Sequence, residues 1–181
     1  MAIRLLLLVC IAASWPARAS DLDLLSVALR AKVGERRVLG KEQPLSFDEY
    51  DVAATLRLPW EGKAWSAWDV SARLLGSAGL LRGPAQNAFV ASAIPALAVV
   101  NRDLQLAVEF GVGLALLSRH DYGAQDYGGP LQFALTFGVS VPVHRRIGIG
   151  YRFMHYSDAG AYGSHTIGAD FHMLEVIYHF R

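Results

Sequence analysis

The chain is short of most things that hold small exported domains together. Its one cysteine, Cys10, sits near the N-terminus. Charge of one sign is also missing: 17 basic residues face 16 acidic ones, for a net +1. That balance excludes a nucleic-acid binder held by bulk electrostatics. No second long apolar run follows the first few residues, which excludes a multi-helix membrane protein. There is no repeat of solenoid length, no linker and no low-complexity segment, so one domain is expected. Yet 53% of the 181 residues are hydrophobic, too many for a disordered chain. A hydrophobic chain without a transmembrane helix is either a core-rich soluble domain or a membrane β-barrel.

Residues 1–19 read as a secretory signal. Arg4 supplies the positive n-region, Leu5 to Ala13 the apolar stretch, and Ala17-Arg18-Ala19 the small-residue cleavage site. The apolar stretch is too short for an anchor. Val9 before Cys10 is too bulky for a lipid-attachment site. Cleavage removes 19 of 181 residues and leaves 162; loss of Arg4 and Arg18 turns the net charge from +1 to −1. The mature chain, 20–181, then has no cysteine, no disulfide and no thiol chemistry. Export without cysteine suits the bacterial envelope.

The mature chain is dominated by a period of two. Leu104, Leu106, Val108, Phe110, Val112, Leu114 and Leu116 alternate with small or polar residues, and Leu131 to Val141 repeats the pattern. Such alternation marks strands with one apolar and one polar or small face. Soluble strands usually run to about 5–6 residues, whereas a bilayer needs about 9–11. Eight such segments are expected: 22–30, 46–58, 65–75, 87–99, 104–117, 131–141, 147–157 and 172–180. Pro95 suggests a bend or bulge in the fourth. Long connections (31–45, 76–86, 118–130, 158–171) alternate with short ones (59–64, 100–103, 142–146). This is the asymmetry of an all-β, eight-stranded antiparallel transmembrane barrel of outer-membrane type. Trp60, Trp65, Trp68, Tyr151 and Tyr178 are expected as interfacial aromatics. Leu174, Val176, Tyr178 and Phe180 form the outward set of a last strand whose terminal aromatic resembles the C-terminal signature of such barrels. Asp51, Arg57, Asp69, Arg73, Glu109 and Glu175 fall on the inward parity, where charges pair within a packed lumen.

One segment breaks the rule. Ile147, Ile149, Tyr151 and Phe153 face outward, and His155 and Ser157 share their parity. Polar groups facing hydrocarbon are costly and need a reason. Residues two apart lie on one face of a strand, roughly 6.5–7 Å apart at Cα. A His-x-Ser pair so placed suits a base and its nucleophile. Asp170 shares the parity of Leu174 and Val176 and should emerge beside the pair to orient His155. Glu175 has the opposite parity, and Asp158 and Asp121 are looser candidates on loops. His165 and His172 with Asp170 offer no diagnostic metal spacing, so no metal and no cofactor is expected. Arg36, Arg37, Arg82 and Arg119 lie in or beside the long loops, where they suit lipid phosphates or ordinary solvation.

The stretch Tyr151-Arg152-Phe153-Met154-His155-Tyr156-Ser157-Asp158-Ala159-Gly160, followed by Gly168-Ala169-Asp170, resembles the signature of the outer-membrane lipid A 3-O-deacylases, the PagL-like family. That signature is F-x-H-x-S-N-A-G, then a loop, then G-x-E/D. The resemblance implies an eight-stranded barrel with its active site on the outer wall. It implies Ser157 as nucleophile, His155 as base, Asp170 as acid, and Gly160 as an N–H donor to the oxyanion. The implied reaction is hydrolysis of the 3-O-linked acyl chain of lipid A, with lipopolysaccharide and outer-membrane lipids as partners and no nucleic acid; a homodimer is compatible with it. The sequence departs from the pattern in three ways. Asp158 stands where the family has Asn, Gly163-Ser164-His165 stands where it has Pro-Asn, and the loop is one residue longer. An ionised Asp158 cannot donate to an oxyanion. The alternatives are a non-catalytic structural or adhesion barrel, a palmitoyltransferase barrel with its site in the lumen, and a soluble lipocalin-like carrier.

Overall fold

The computed structural model describes residues 22–180 except 35, 42 and 66. The expected leader, with Cys10 and its cleavage site, lies outside the described residues. Eight strands follow in order: β1 (Asp23–Gly34), β2 (Asp48–Trp65), β3 (Trp68–Arg82), β4 (Asn87–Asn101), β5 (Ala107–Leu117), β6 (Leu131–His144), β7 (Ile147–Ser157) and β8 (Ala169–His179). Every neighbour is antiparallel, and β1 pairs with β8 to close the barrel. Closure leaves no unpaired edge, which a bilayer requires.

The alternation sorts side chains as expected. Leu29, Val52, Leu97, Phe110, Leu116 and Val176 are exposed on the outer wall. The inward set is buried and carries the charges. Arg30 grips Asp51 through Nε and Nη2 at 2.6 and 2.8 Å. Arg152 reaches Glu175 at 2.5 Å and Glu109 at 2.6 Å, and Arg73 reaches Glu109 at 2.6 Å. Glycines make room for this network. A Cβ on Gly138 would lie 2.8 Å from the Arg152 guanidinium, and one on Gly150 would lie 2.8 Å from Glu175 Oε2. A cavity of about 30 Å³ remains beside the ion pairs, room for about one water. Towards the outer end the lumen is filled by an apolar cluster with Phe47, Tyr127, Met154, Tyr156 and Phe171. The barrel is therefore packed, not porous. Of the six charges expected inside, Arg57 and Asp69 instead sit at the rim, their side chains 40% and 42% exposed.

Several expectations on strand extent change: β2 runs to Trp65, so 59–64 is strand and not a turn, β5 starts at Ala107, and β6 runs to His144. Residues 76–86 are not a long loop, because β3 runs to Arg82. Of the residues there that read as loop, Gly79 is small because a Cβ would lie 2.1 Å from the Tyr50 carbonyl oxygen; Ser77 and Ser92 hydroxyls lie 2.7 Å apart across β3 and β4. β1 continues to Gly34, and β8 starts at Ala169 rather than 172. Pro95 makes no bulge: β4 stays in register with β3 through Leu74↔Pro95, and only pairing to β5 lapses between Ala93↔Leu114 and Ala96↔Gly111. A missing N–H interrupts a ladder without shifting it. The short-turn end carries exposed Trp60, Trp65, Tyr178 and Phe180, an aromatic belt. The other end carries the longer connections, among them 118–130 and 158–168.

Candidate active site on the outer wall

β7 and β8 place the candidate residues. His155 and Asp170 are direct partners in the β7–β8 register, and Ser157 lies two residues on, opposite Phe133 of β6. His155 Nδ1 lies 2.6 Å from Asp170 Oδ1, with side-chain exposures of 12% and 3%. An ionised carboxylate only accepts, so the Nδ1–H donates to Asp170. Ser157 is half-buried on the same face of β7. No hydrogen bond joins its hydroxyl to the imidazole among the described residues. Gly168 brings the start of β8 against both side chains: a Cβ there would lie 3.1 Å from Ser157 Cβ, 3.3 Å from His155 Cε1 and 2.4 Å from the Tyr156 carbonyl oxygen.

The polar pair does not face bare lipid. The β1–β2 loop crosses the wall over it. Val38 and Leu39 N–H groups donate to Asp170 Oδ2 at 2.5 and 2.7 Å. Gly40, at φ +71°, lies against His155 Cε1. Phe153 has outward parity yet is buried, its ring 5.5 Å from that of His172. His172 itself is bound at both nitrogens: Tyr151 OH lies 2.5 Å from Nδ1, and Nε2 meets the Arg36 carbonyl. The acceptor carbonyl requires Nε2–H. Tyr151 is thus tied to His172 and not simply an interfacial anchor. The sequence gives no sign of this loop contact, since backbone donors carry no side-chain signature.

Asp158 and Gly160 form a turn beside the pair. Ala159 and Gly160 adopt φ of 51° and +85°, the left-handed region. Asp158 is buried and accepts from Gly160 N–H at 3.1 Å, Tyr162 N–H at 2.8 Å and Thr166 Oγ1–H at 2.9 Å. Burial pushes its carboxyl up, but the Tyr162 and Gly160 amides and the Thr166 hydroxyl outweigh this and hold it below the ordinary value. The carboxylate thus points into its own loop, and it occupies the Gly160 N–H. His165 is exposed, and Arg36, Arg37, Arg82 and Arg119 are exposed at this same end.

Fold and site together define an eight-stranded outer-membrane barrel with a part-buried His–carboxylate pair on its lipid-facing wall. The family model described as Lipid A 3-O-deacylase (PagL) matches residues 48–179, and the chain belongs to that family. Its fold is similar to the crystal structure of the outer membrane enzyme PagL, at TM-score 0.65 and 19% identity over 86% of this chain and 99% of that one. The outer membrane protein Ail of Yersinia pestis is more distant, at TM-score 0.47 and 12% identity over 87% of this chain and 99% of that one. Among curated protein sequences none matches.

Proposed function

We propose that this barrel is a lipid A 3-O-deacylase that works through Ser157, His155 and Asp170. The observation that carries the reading is the 2.6 Å His155–Asp170 bond on the outer wall, within a chain of the deacylase family. Asp170 fixes the imidazole tautomer, and His155 Nε2 takes the Ser157 proton as Oγ attacks the ester carbonyl carbon. The tetrahedral intermediate expels the 3-hydroxyl of lipid A, which takes that proton back from His155. Water, activated by the same base, then cleaves the acyl-serine and releases the fatty acid. In apo sites the nucleophile–base contact is often open and tightens when substrate binds. Gly160 N–H serves the oxyanion once it leaves Asp158 Oδ1. An external site spares the ester from leaving the membrane, since its acyl chains already lie beside the wall. Met1 to Ala19 act as the cleaved export signal, and the N-terminus of the purified mature protein tests that directly.

The decisive experiment is mass spectrometry of lipid A from Gram-negative cells that express the wild type or Ser157→Ala. Loss of one 3-hydroxyacyl chain with the wild type alone is expected. Unchanged lipid A from folded, surface-located wild type refutes the reading and leaves a structural or adhesion barrel.

A further inference from the structure

The segment 36–41 touches the wall at several separate points, and they converge on one carboxylate. Two consecutive backbone amides, Val38 and Leu39, donate to Asp170 Oδ2, while Oδ1 serves His155. Successive N–H groups converging on one oxygen make a strong anion seat. On one side the segment is pinned by the Arg36 carbonyl on His172 Nε2. On the other, Lys41 Nζ donates to the Ser164 and Thr166 carbonyls of the β7–β8 loop. Val38 is 58% exposed and Leu39 39%, so the segment is held by these polar contacts and not by apolar burial.

We propose that this strap is a positioning element for the reaction: it fixes the free oxygen of Asp170, and through it the plane of the His155 ring. The inference rests on the Ser157–His155–Asp170 reading. Without the strap, Oδ2 keeps no donor from it and the carboxylate is free to rotate about χ2, taking the Nδ1 bond with it. Lys41 and His172 are then positioning residues that never touch the substrate.

The test is the double variant Lys41→Met with His172→Phe, purified in detergent, with amide exchange at Val38 and Leu39 reporting whether the strap has left the wall. Where those amides stay protected, Leu39→Pro, which deletes one donor, is the variant read. On release, kcat is expected to fall about ten- to a hundredfold with KM little changed. The far-downfield resonance of His155 Nδ1–H should broaden or move, while the thermal unfolding of the barrel stays put. In an Asp170→Asn background the same changes should cost almost nothing more. Unchanged kcat and an unchanged Nδ1–H resonance after release overturn the proposal, as does a full additive loss in the Asp170→Asn background. Ser157→Ala is assayed alongside: if it retains activity the triad reading itself fails, whereas a dead Ser157→Ala beside a fully active released strap sinks only the strap.

Discussion

Asp158→Asn separates two roles of one side chain. In the wild type, Oδ1 accepts from Gly160 N–H at 3.1 Å and from Thr166 Oγ1–H at 2.9 Å, and Oδ2 accepts from Tyr162 N–H at 2.8 Å. An amide offers one acceptor and one NH₂ donor. With its oxygen towards Tyr162, the NH₂ faces Gly160 and Thr166. The Thr166 hydroxyl can turn to accept, and it already has the Gly163 carbonyl at 3.1 Å as another partner. The Gly160 amide cannot turn and loses its acceptor. That loss frees the N–H proposed for the oxyanion. Breaking a hydrogen bond to a charged group costs about 1.5–3 kcal/mol, and each ~1.4 kcal/mol is tenfold in rate. Asp158→Asn should therefore raise kcat about 10- to 100-fold, because the wild type must break that bond on the way to the transition state. The turn should loosen at the same time, since Tyr162 N–H exchanges a carboxylate for a neutral acceptor. The assay is release of 3-hydroxy fatty acid from purified lipid A in detergent, read by mass spectrometry, with amide exchange at Tyr162. An Asn variant no faster than the wild type, with Tyr162 still protected, would refute the assignment of Gly160 to the oxyanion. Asp158→Ala is the control: it frees Gly160 but abandons the turn, so its kcat should fall short of the Asn variant.

The Asp158 carboxyl is held below its ordinary value of 3.8, so its contribution to the 158–166 turn is present above that pH. It is lost as pH falls through the lowered folded value; amide exchange at Gly160 and Tyr162 should accelerate only below about pH 4. Arg152→Met removes the close partner of Glu175, leaving it only Arg30 at 3.8 Å, and one of the two partners of Glu109, in a lumen where their side chains are 3% and 6% exposed. It should cost about 3–5 kcal/mol in urea unfolding in lipid vesicles, and an effect under ~1 kcal/mol would deny that the pairs are buried together. Gly168→Ala puts a methyl 2.4 Å from the Tyr156 carbonyl oxygen and 3.1 Å from Ser157 Cβ. It should abolish most deacylation while the barrel still shows its folded mobility on unheated gels; full activity would mean β8 does not press on the pair.

How far the chain could be read from its letters follows from which forces act locally. Lipid outside and packed charge inside impose a period of two on every strand, so the alternation of Val108 to Leu116 survives into the barrel residue by residue, while Leu104 and Leu106 fall in the turn before β5. The same rule made His155 and Ser157 conspicuous, because each falls on the lipid-facing parity, and it singled out Asp170 over Glu175. In the structure Asp170 Oδ1 lies 2.6 Å from His155 Nδ1. Composition misled where small residues had two meanings. Gly79 read as loop, yet β2 passes so close to it that a Cβ would lie 2.1 Å from the Tyr50 carbonyl oxygen. Asp158 read as a threat to an oxyanion, because its charge is visible in the sequence and its direction is not. Direction is set by the left-handed backbone at Ala159 and Gly160, which turns three donors onto the carboxylate. The strap was invisible for a deeper reason. Its working groups are the N–H atoms of Val38 and Leu39, which any two non-proline residues possess, and what makes them matter is a contact 132 positions away in the chain. On the proposed reading, outer-wall chemistry depends on a loop that no side-chain pattern marks, and that dependence makes removal of a backbone donor more informative than another substitution in the proposed triad.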